Sequence, residues 1–545
     1  MSDTWQHTGG STPYYPTNLS KGSACTNCRK RKIKCDGARP KCRACHSSVQ
    51  FNDCEYADYG FTQTQYLEER IAALSARINE LEALPSTVAS PTSIRSPSSE
   101  PASLSLQLPY GSGQGYSSSE RSESLPNELH QRLIQGFLQH TADLPFFLDV
   151  GRFLAIVAPR TSHQKATLAL LETAYLWGAH LSADESLKRS ESDFVSRALR
   201  GISQGMSGGQ PGPAIIHLIQ AETLLSHYFF RSTRILEGKY HMAKALSLVT
   251  AGRLHTIRSA EGALSASYLP PPTDAIEEGE RINAFWMVLG MNNGWTAIDG
   301  SPSNVVYTNE PGLRIDTPWP EDMDTYATNG IRRDLTGSYT VQRFLAGLDR
   351  AVDGQSRAAL VAKASILFER ATQVGMKHWK NITSRSSDTP RSTQEFLAIG
   401  SLIQSLTQQM SSYPATQLSV ISILLNAASM RLHQNFVDKQ AQSRQLTISS
   451  ARNIVRALAS IEGGVVDPIL APIAMITFQF LVEELRKVTS SSSSSSAPVK
   501  VEMQKLVKGM TALASSCPLM GTQATEARRT LEELGARLVG TEEGC

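Results

Sequence analysis

The chain has 545 residues, of which 41% are hydrophobic and 19% charged, and its net charge is only +3. This composition is typical of a globular protein long enough for several domains, and it excludes a fully disordered chain. Residues 1–20 contain no apolar core, so we expect no signal peptide. The longest apolar stretch, residues 469–482, is shorter than the roughly 18 to 20 residues of a membrane span, so we expect no membrane association.

Positive charge and cysteine are both concentrated near the N-terminus. Residues 21–45 contain nine Lys or Arg and a single acidic residue, Asp36, so this segment carries +8 and the rest of the chain −5. Six of the eight cysteines lie between positions 25 and 54, and the other two are Cys517 and Cys545. A secreted protein stabilised by disulfides would not confine its cysteines to one part of a long chain.

The six N-terminal cysteines fall into two halves, each with a C-x2-C pair followed by a third cysteine. The spacing is Cys25-x2-Cys28-x6-Cys35-x6-Cys42-x2-Cys45-x8-Cys54. A C-x2-C turn places two thiolates on one tetrahedral zinc ion. Six thiolates are too many for one such ion, but they satisfy two ions if two of the thiolates bridge. The spacing therefore predicts two Zn²⁺ ions per chain.

A basic run fills the gap between Cys28 and Cys35, and it consists of Arg29, Lys30, Arg31, Lys32, Ile33 and Lys34. If this gap forms a short helix, its charges crowd one small surface that suits DNA phosphates and the O6 and N7 atoms of guanine. One alternative is a zinc site that only stabilises the fold of a protein-interaction module. Another is that the basic run is a nuclear-import signal. The combination of the basic run with the six-cysteine spacing favours DNA binding.

This segment resembles the binuclear zinc-cluster DNA-binding domain of fungal transcription factors. All six cysteines, the basic run and the loop residue Pro40 match that pattern. The resemblance implies that Cys25 and Cys42 are the bridging thiolates. It also implies that Lys32, helped by Arg31, reads the bases of a CGG-type triplet. The remaining basic residues would contact phosphates or support the fold, and they are Arg29, Lys30, Lys34, Lys41 and Arg43.

A short dimerisation helix is predicted after the cysteines. Apolar residues recur with spacings of 4, 3, 4 and 3 at Leu67, Ile71, Leu74, Ile78 and Leu81. In heptads, leucine falls at d and isoleucine at a, which favours a parallel two-stranded coil. The alternative is an amphipathic helix that packs on its own chain. Members of the resembled family carry a short coil at this place, so we expect a homodimer.

The C-terminal part has long stretches with helical apolar spacing, including 166–181, 215–250 and 357–380, and no clear strand pattern. It resembles the middle homology region of the same fungal regulators. Arg281, Phe285 and Trp286 lead to a turn at Gly300, Ser301 and Pro302, as in that region, and Asp467-Pro468 with the following apolar helix also fits.

These patterns predict a mainly α protein with a small zinc-cluster domain, a short coiled coil, a disordered tether and a large all-α regulatory domain. The expected segments are a disordered N-terminus (1–20), the zinc-cluster domain (21–58), a linker (59–65), the coiled coil (66–84), the Ser/Pro-rich tether (85–124), the regulatory domain (125–485), a Ser-rich loop (486–498) and C-terminal helices with a tail (499–545).

A catalytic site is not indicated. Gly201-x-Ser203-x-Gly205 matches a nucleophile-elbow pattern, but no hydrophobic strand precedes it, so we interpret it as a surface loop. We therefore predict a non-enzymatic, nuclear, sequence-specific transcription regulator. It would act on RNA polymerase II promoters, with DNA and the transcription machinery or co-regulators as partners. The alternative is a metabolite-binding or enzymatic helical protein with an appended zinc module.

Overall fold

The computed structural model describes residues 24–25, 28, 31–36, 38 and 41–47, and then 125–158, 165–207, 215–260, 269–349, 354–410, 419–490 and 497–542, except for positions 304, 306, 308–309, 311–313 and 333–334. The chain divides into two compact units, Met1–Ser119 and Glu120–Cys545. The predicted disordered N-terminus, the coiled coil, the tether and residues 491–496 of the Ser-rich loop lie outside the described residues.

The regular elements of the described residues are helices, which confirms the prediction of a mainly α fold. The first unit contributes α1 (Arg43–His46). The second contributes α2 (Asn127–Leu138), α3 (Val150–Val157), α4 (Lys165–His180), α5 (Glu185–Arg189), α6 (Glu191–Ser207), α7 (Ile215–Arg231), α8 (Ile235–Ala251), α9 (Ala275–Asp299), α10 (Met323–Asn329), α11 (Thr340–Leu345), α12 (Arg357–Thr383), α13 (Thr389–Met410), α14 (Ser419–His433), α15 (Ala441–Ala459), α16 (Leu470–Ser490), α17 (Ala497–Ala512) and α18 (Pro518–Glu542). In the same part of the chain, β-structure is limited to an isolated bridge between Ser259 and Gly337.

Several helices begin at side chains that accept a hydrogen bond from the first turn. The Asp149 carboxylate accepts from the N–H of Arg152 at 2.8 Å at the start of α3, and the Ser356 hydroxyl accepts from the N–H of Ala359 at 3.0 Å at the start of α12. Such caps satisfy N–H groups that have no partner within the helix. Helix α9 ends at Gly300, whose φ of +67° lies in the left-handed region that favours glycine.

The first half of the core is built around α4, which packs against α2, α6 and α7. Trp177 of α4 is fully buried, and its Nε1–H donates to the carbonyl of Leu224 at 3.2 Å. Helices α2 and α4 approach so closely that a Cβ atom at Gly178 would lie 2.1 Å from the carbonyl oxygen of Leu133. This crossing therefore requires glycine at position 178.

The second half of the core continues without a break to the C-terminal helices. Helix α12 packs against α9, α13 and α14, and α17 packs against α15, α16 and α18. Met503 of α17 and Met520 of α18 belong to the same buried cluster as Trp177. The C-terminal helices, predicted as a separate segment, thus share the core of the large helical unit.

The stretch 215–250, whose apolar spacing is helical, forms two helices, and Thr233 adopts a φ of +65° between α7 and α8. One detail differs from the sequence interpretation. Gly201, Ser203 and Gly205 lie within α6, so the surface loop expected there is wrong. A helix interior also lacks the strand-to-helix turn of a nucleophile elbow. Among the described helices, we find none with the length and apolarity needed to cross a bilayer.

Candidate metal centre and nucleic-acid interface

Five of the six predicted metal ligands are described, and the structure brings them together. The thiols of Cys25, Cys28, Cys35, Cys42 and Cys45 are buried and form one cluster. The Sγ atoms of Cys25, Cys28, Cys35 and Cys42 all lie within 4.8 Å of one another. Cys54, the sixth predicted ligand, lies outside the described residues.

The spacing of the sulfur atoms fits zinc. Sγ of Cys25 lies 3.7 Å from those of Cys42 and Cys45, and Sγ of Cys28 lies 3.6 Å from that of Cys42 and 3.9 Å from that of Cys45. Four sulfurs bound tetrahedrally at about 2.3 Å from a zinc ion are separated by edges of about 3.8 Å. The distances between these sulfur atoms therefore suit zinc binding.

The two halves of the cluster repeat the same local structure. The N–H of Cys28 donates to Sγ of Cys25 at 3.4 Å, and the N–H of Cys45 donates to Sγ of Cys42 at 3.4 Å. In both C-x2-C turns the first sulfur thus accepts a backbone hydrogen bond. The repeated turn explains why the sequence shows the same spacing twice.

Asp36 joins the two halves, a role that the sequence analysis did not assign. Its carboxylate accepts a hydrogen bond at 3.0 Å from the N–H of Arg43, at the start of α1. The available signal was that Asp36 is the single acidic residue in a strongly basic segment. An acceptor in that position stabilises a helix N-terminus.

Burial and the neighbouring thiols raise the pKa of the Cys28 thiol well above its ordinary value, and burial also raises the pKa of Cys42. Without a cation, these buried thiols would keep their protons. A zinc ion supplies the positive charge that stabilises several thiolates together, and metal binding then releases the protons. The raised pKa values of the thiols and the short distances between their sulfur atoms thus both agree with zinc binding.

The basic run turns sharply at Lys32. Lys32 has a φ of +53°, and the N–H of Ile33 donates to the carbonyl of Cys28 at 3.1 Å. A bond that spans six residues around a left-handed position is the Schellman arrangement, which ends a helical turn and usually carries glycine there. Local backbone structure therefore places Lys32 where the chain reverses direction.

The described basic residues surround the cysteines at the surface. The side chains of Arg31, Lys32, Lys34 and Arg43 are exposed, and Lys41 is half-buried. Ile33, between two of these cations, is 40% exposed. Arg29 and Lys30 lie outside the described residues, as do all the predicted dimerisation residues between positions 67 and 81.

Comparisons with known proteins match the cysteine-rich segment and extend beyond it. The family described as "Fungal Zn(2)-Cys(6) binuclear cluster domain" matches residues 23–59. Over 66 residues, or 11% of the chain, the sequence is 44% identical to the transcriptional activator protein acu-15 of Neurospora crassa, of which this covers 7%. Over 90 residues, or 15% of the chain, it is 38% identical to the regulatory protein CAT8 of Saccharomyces cerevisiae, of which this covers 6%.

A longer and weaker similarity reaches into the helical unit. The chain is 24% identical over 341 residues to the citrinin biosynthesis transcriptional activator ctnR of Monascus purpureus, which covers 54% of this chain and 58% of that protein. The chain thus spans less than two thirds of the length of these relatives. None of the solved structures matches the chain.

The names of these relatives are those of transcriptional activators and regulatory proteins and not of enzymes, as the sequence analysis predicted. The matched family binds zinc through six cysteines, and all six lie within the matched segment. Residues 23–59 are therefore a fungal Zn(2)-Cys(6) binuclear cluster domain, which binds two zinc ions.

Proposed function

We propose that the chain is a nuclear transcription regulator that binds specific DNA sequences at RNA polymerase II promoters through its zinc-cluster domain. The observation that carries this proposal is the arrangement of exposed Arg31, Lys32 and Lys34 on the turn that joins two ligands of a buried thiol cluster. A rigid metal core holds these cations close together, and a compact cationic surface suits the phosphates and base edges of double-stranded DNA.

In this proposal, Lys32 reads bases and the other cations position the domain. Lys32 lies at the chain reversal, with an exposed side chain. A lysine can donate to both O6 and N7 of guanine in the major groove, which agrees with a CGG-type triplet. Arg31 supports the readout, and Lys41 and Arg43, beside the second half of the cluster, bind phosphates together with Arg29, Lys30 and Lys34.

Selection of bound sites from random DNA by the full chain tests this assignment. We expect CGG-type triplets. Lys32→Ala is expected to weaken binding by about 1–3 kcal/mol and to flatten the preference among triplets. The matched control is Lys41→Ala, which is expected to weaken binding evenly across sequences and to reduce the salt slope by about one. An unchanged site preference in Lys32→Ala would contradict the proposed base readout.

We further propose that residues 66–84 pair two chains in a parallel coil, so that the protein binds two half-sites as a homodimer. The a and d positions of this segment, Leu67, Ile71, Leu74, Ile78 and Leu81, support this. Two linked zinc-cluster domains gain roughly 10²–10⁴ in affinity over one through effective concentration.

A matched pair of variants tests the dimer. Leu74→Glu places charge at a d position and is expected to abolish tight binding to a paired site while zinc content stays at two ions per chain. Ala76→Glu, two residues away at an f position on the outer face, is expected to leave paired-site affinity unchanged. Equal affinity of both variants for the paired site would argue against the coil.

The remaining architecture follows the same proposal. Residues 85–124 act as a Ser/Pro-rich tether, and the helical unit acts as a non-catalytic regulatory domain that communicates with co-regulators or the transcription machinery. Limited proteolysis of the full chain is expected to cut first within 85–124 and 490–496 and to leave a stable helical fragment. Resistance of the tether to proteases would contradict this architecture.

A further inference from the structure

The helical unit contains a partly open cavity of about 900 Å³ that neither the zinc cluster nor the comparisons account for. Its walls come from the segments 141–147, 320–323 and 460–470 and from α7, α9, α12 and α14. Cavities of this size hold drug-sized organic molecules, and they occur commonly between packed helices.

Most of the wall is apolar and aromatic. The side chains that contribute apolar surface include Phe146, Trp286, Met287, Met291 and Leu424. Trp286 and Trp295, both on α9, are almost fully buried, so their positions are fixed by packing. A wall of this kind favours a flat ligand with a large apolar surface.

Two polar side chains in the wall have atoms that lack a partner. His227 is 3% exposed, and its Nε2 atom is buried without a hydrogen bond. The Oδ1 atom of Asn283 is likewise buried without a partner, while its Nδ2 group donates to the carbonyl of Glu321 at 3.0 Å. Buried polar groups normally find a partner. These two atoms expose almost no surface, so a ligand in the cavity reaches them only when the side chains rotate. A ligand that then supplies a partner gains binding free energy and orientation.

The imidazole of His227 is available in its neutral form. Burial is the main cause that lowers the pKa of His227 to about 3, and the nearby Arg231 and His180 lower it further. At neutral pH its ring therefore carries no charge and can accept a hydrogen bond at Nε2 or donate one, depending on its tautomer.

The charges in the wall are mostly negative. Five carboxyl groups line the cavity, and they belong to Asp143, Glu321, Asp322, Glu462 and Asp467, whereas the wall contains one guanidinium, that of Arg357. Burial raises the pKa of Glu321 and of Asp467. Even when these two carry protons, the three exposed carboxylates outnumber the single cation, so the cavity disfavours anions.

We propose that this cavity binds a neutral or cationic, largely aromatic small molecule that hydrogen-bonds to His227 and Asn283. Its lining residues all belong to the helical unit. Its occupancy can therefore be measured whether or not the proposed transcriptional function holds.

Glycines on α9 keep the cavity open. Gly290 and Gly294, one turn apart, both line it. A Cβ atom at Gly290 would meet only the hydroxyl of Ser365, at 3.6 Å, so a larger side chain there would extend into the open space. This position offers a way to fill the cavity from a rigid helix without displacing a backbone.

A chemically matched pair of dyes tests the proposal on the full chain. N-phenyl-1-naphthylamine is neutral, aromatic and carries one N–H donor, and 1-anilinonaphthalene-8-sulfonate is the same skeleton with a negative charge. Fluorescence titration is expected to show one saturable site for the neutral dye and at least tenfold weaker binding of the sulfonate. Absence of saturable binding of the neutral dye would overturn the proposal, and equal binding of both dyes would overturn its charge preference.

Variants locate the site. Gly290→Leu is expected to weaken binding of the neutral dye at least tenfold, whereas Gly400→Leu, the same change within α13 where a Cβ atom meets only Leu432 at 3.6 Å, is expected to leave it unchanged. His227→Phe keeps a ring but removes the hydrogen bond, and we expect about tenfold weaker binding.

Circular dichroism and zinc content of these variants should match those of the unaltered chain. If Gly290→Leu fails to fold, Val361→Phe fills the cavity from α12 instead. Unchanged dye affinity in a folded cavity-filling variant would place the dye elsewhere and overturn the proposal.

Discussion

The buried side chains of the zinc-cluster unit are mainly thiols, with Ala24 and Ala44 packed beside them, whereas those of the helical unit are aromatic and aliphatic and extend in one cluster from Leu133 to Ala527. A segment of about 40 residues buries too little apolar surface to fold alone, and metal ions supply the missing free energy. The helical unit obtains its free energy of folding from the packing of its helices. The two units should therefore unfold under different conditions.

Removal of zinc should reveal the largest difference between the two units. A strong chelator added to the full chain is expected to release two zinc ions and to abolish DNA binding, because structural zinc contributes on the order of 10 kcal/mol to folding of such domains. The far-UV helical signal should change little, since the metal-ligand group found in the described residues consists of the N-terminal cysteines. Loss of most of the helical signal would show that the helical unit depends on the metal.

A buried carboxyl group should make the helical unit sensitive to pH. Burial raises the pKa of Glu369 to about 7, above its ordinary value of 4.5. The folded chain therefore holds this proton more tightly than the unfolded chain, and the free energy of unfolding falls as pH rises from about 4.5 to about 7. Glu369→Gln is expected to stabilise the unit by about 3 kcal/mol at pH 8 and to have no effect at pH 4.

Urea unfolding of the full chain, followed by circular dichroism at both pH values, measures this difference. The control is Glu533→Gln, whose side chain is exposed in α18. A Glu369→Gln variant with the same stability difference at pH 4 and pH 8 would show that the carboxyl group does not titrate in this range.

Helix packing should be the most sensitive to added volume where backbones touch. Gly178→Ala places a methyl group against the Leu133 carbonyl, which forces α2 and α4 apart and is expected to destabilise the helical unit by about 2 kcal/mol. Gly400→Ala, where the added methyl meets only Leu432, should be neutral or slightly stabilising because alanine favours helices. Urea midpoints of the two variants provide the comparison, and equal midpoints would refute the close crossing.

The two units also differ in how much of their structure can be predicted from the sequence. The cysteine spacing predicts the cluster closely, because zinc accepts few ligand geometries. The helices of the large unit follow from apolar periodicity, but their ends and crossings do not. Gly201 was interpreted as part of a loop, yet it lies in α6, where a Cβ atom would come within 3.1 Å of Cα of Ala169. Glycine at a close helix crossing and glycine in a loop look alike in a sequence.

Other features depend on contacts that periodicity cannot report. The left-handed turn at Thr233 separates α7 from α8 without a glycine or proline to mark it. The cavity combines residues from segments far apart in the chain, among them His227, Asn283 and Asp467. Each of these residues alone resembles an ordinary buried polar side chain, and the tertiary packing is what brings them to one wall.

The backbone of Lys32 has a consequence for how this domain can evolve. A left-handed conformation costs a residue other than glycine roughly 1 kcal/mol, so glycine would make the turn more stable. Glycine would also remove the side chain that we propose reads DNA. Position 32 is thus a trade-off in which recognition and stability favour different residues. Zinc binding contributes on the order of 10 kcal/mol to the folding of such domains, and this contribution can offset the cost of a left-handed lysine at the position that we propose contacts DNA.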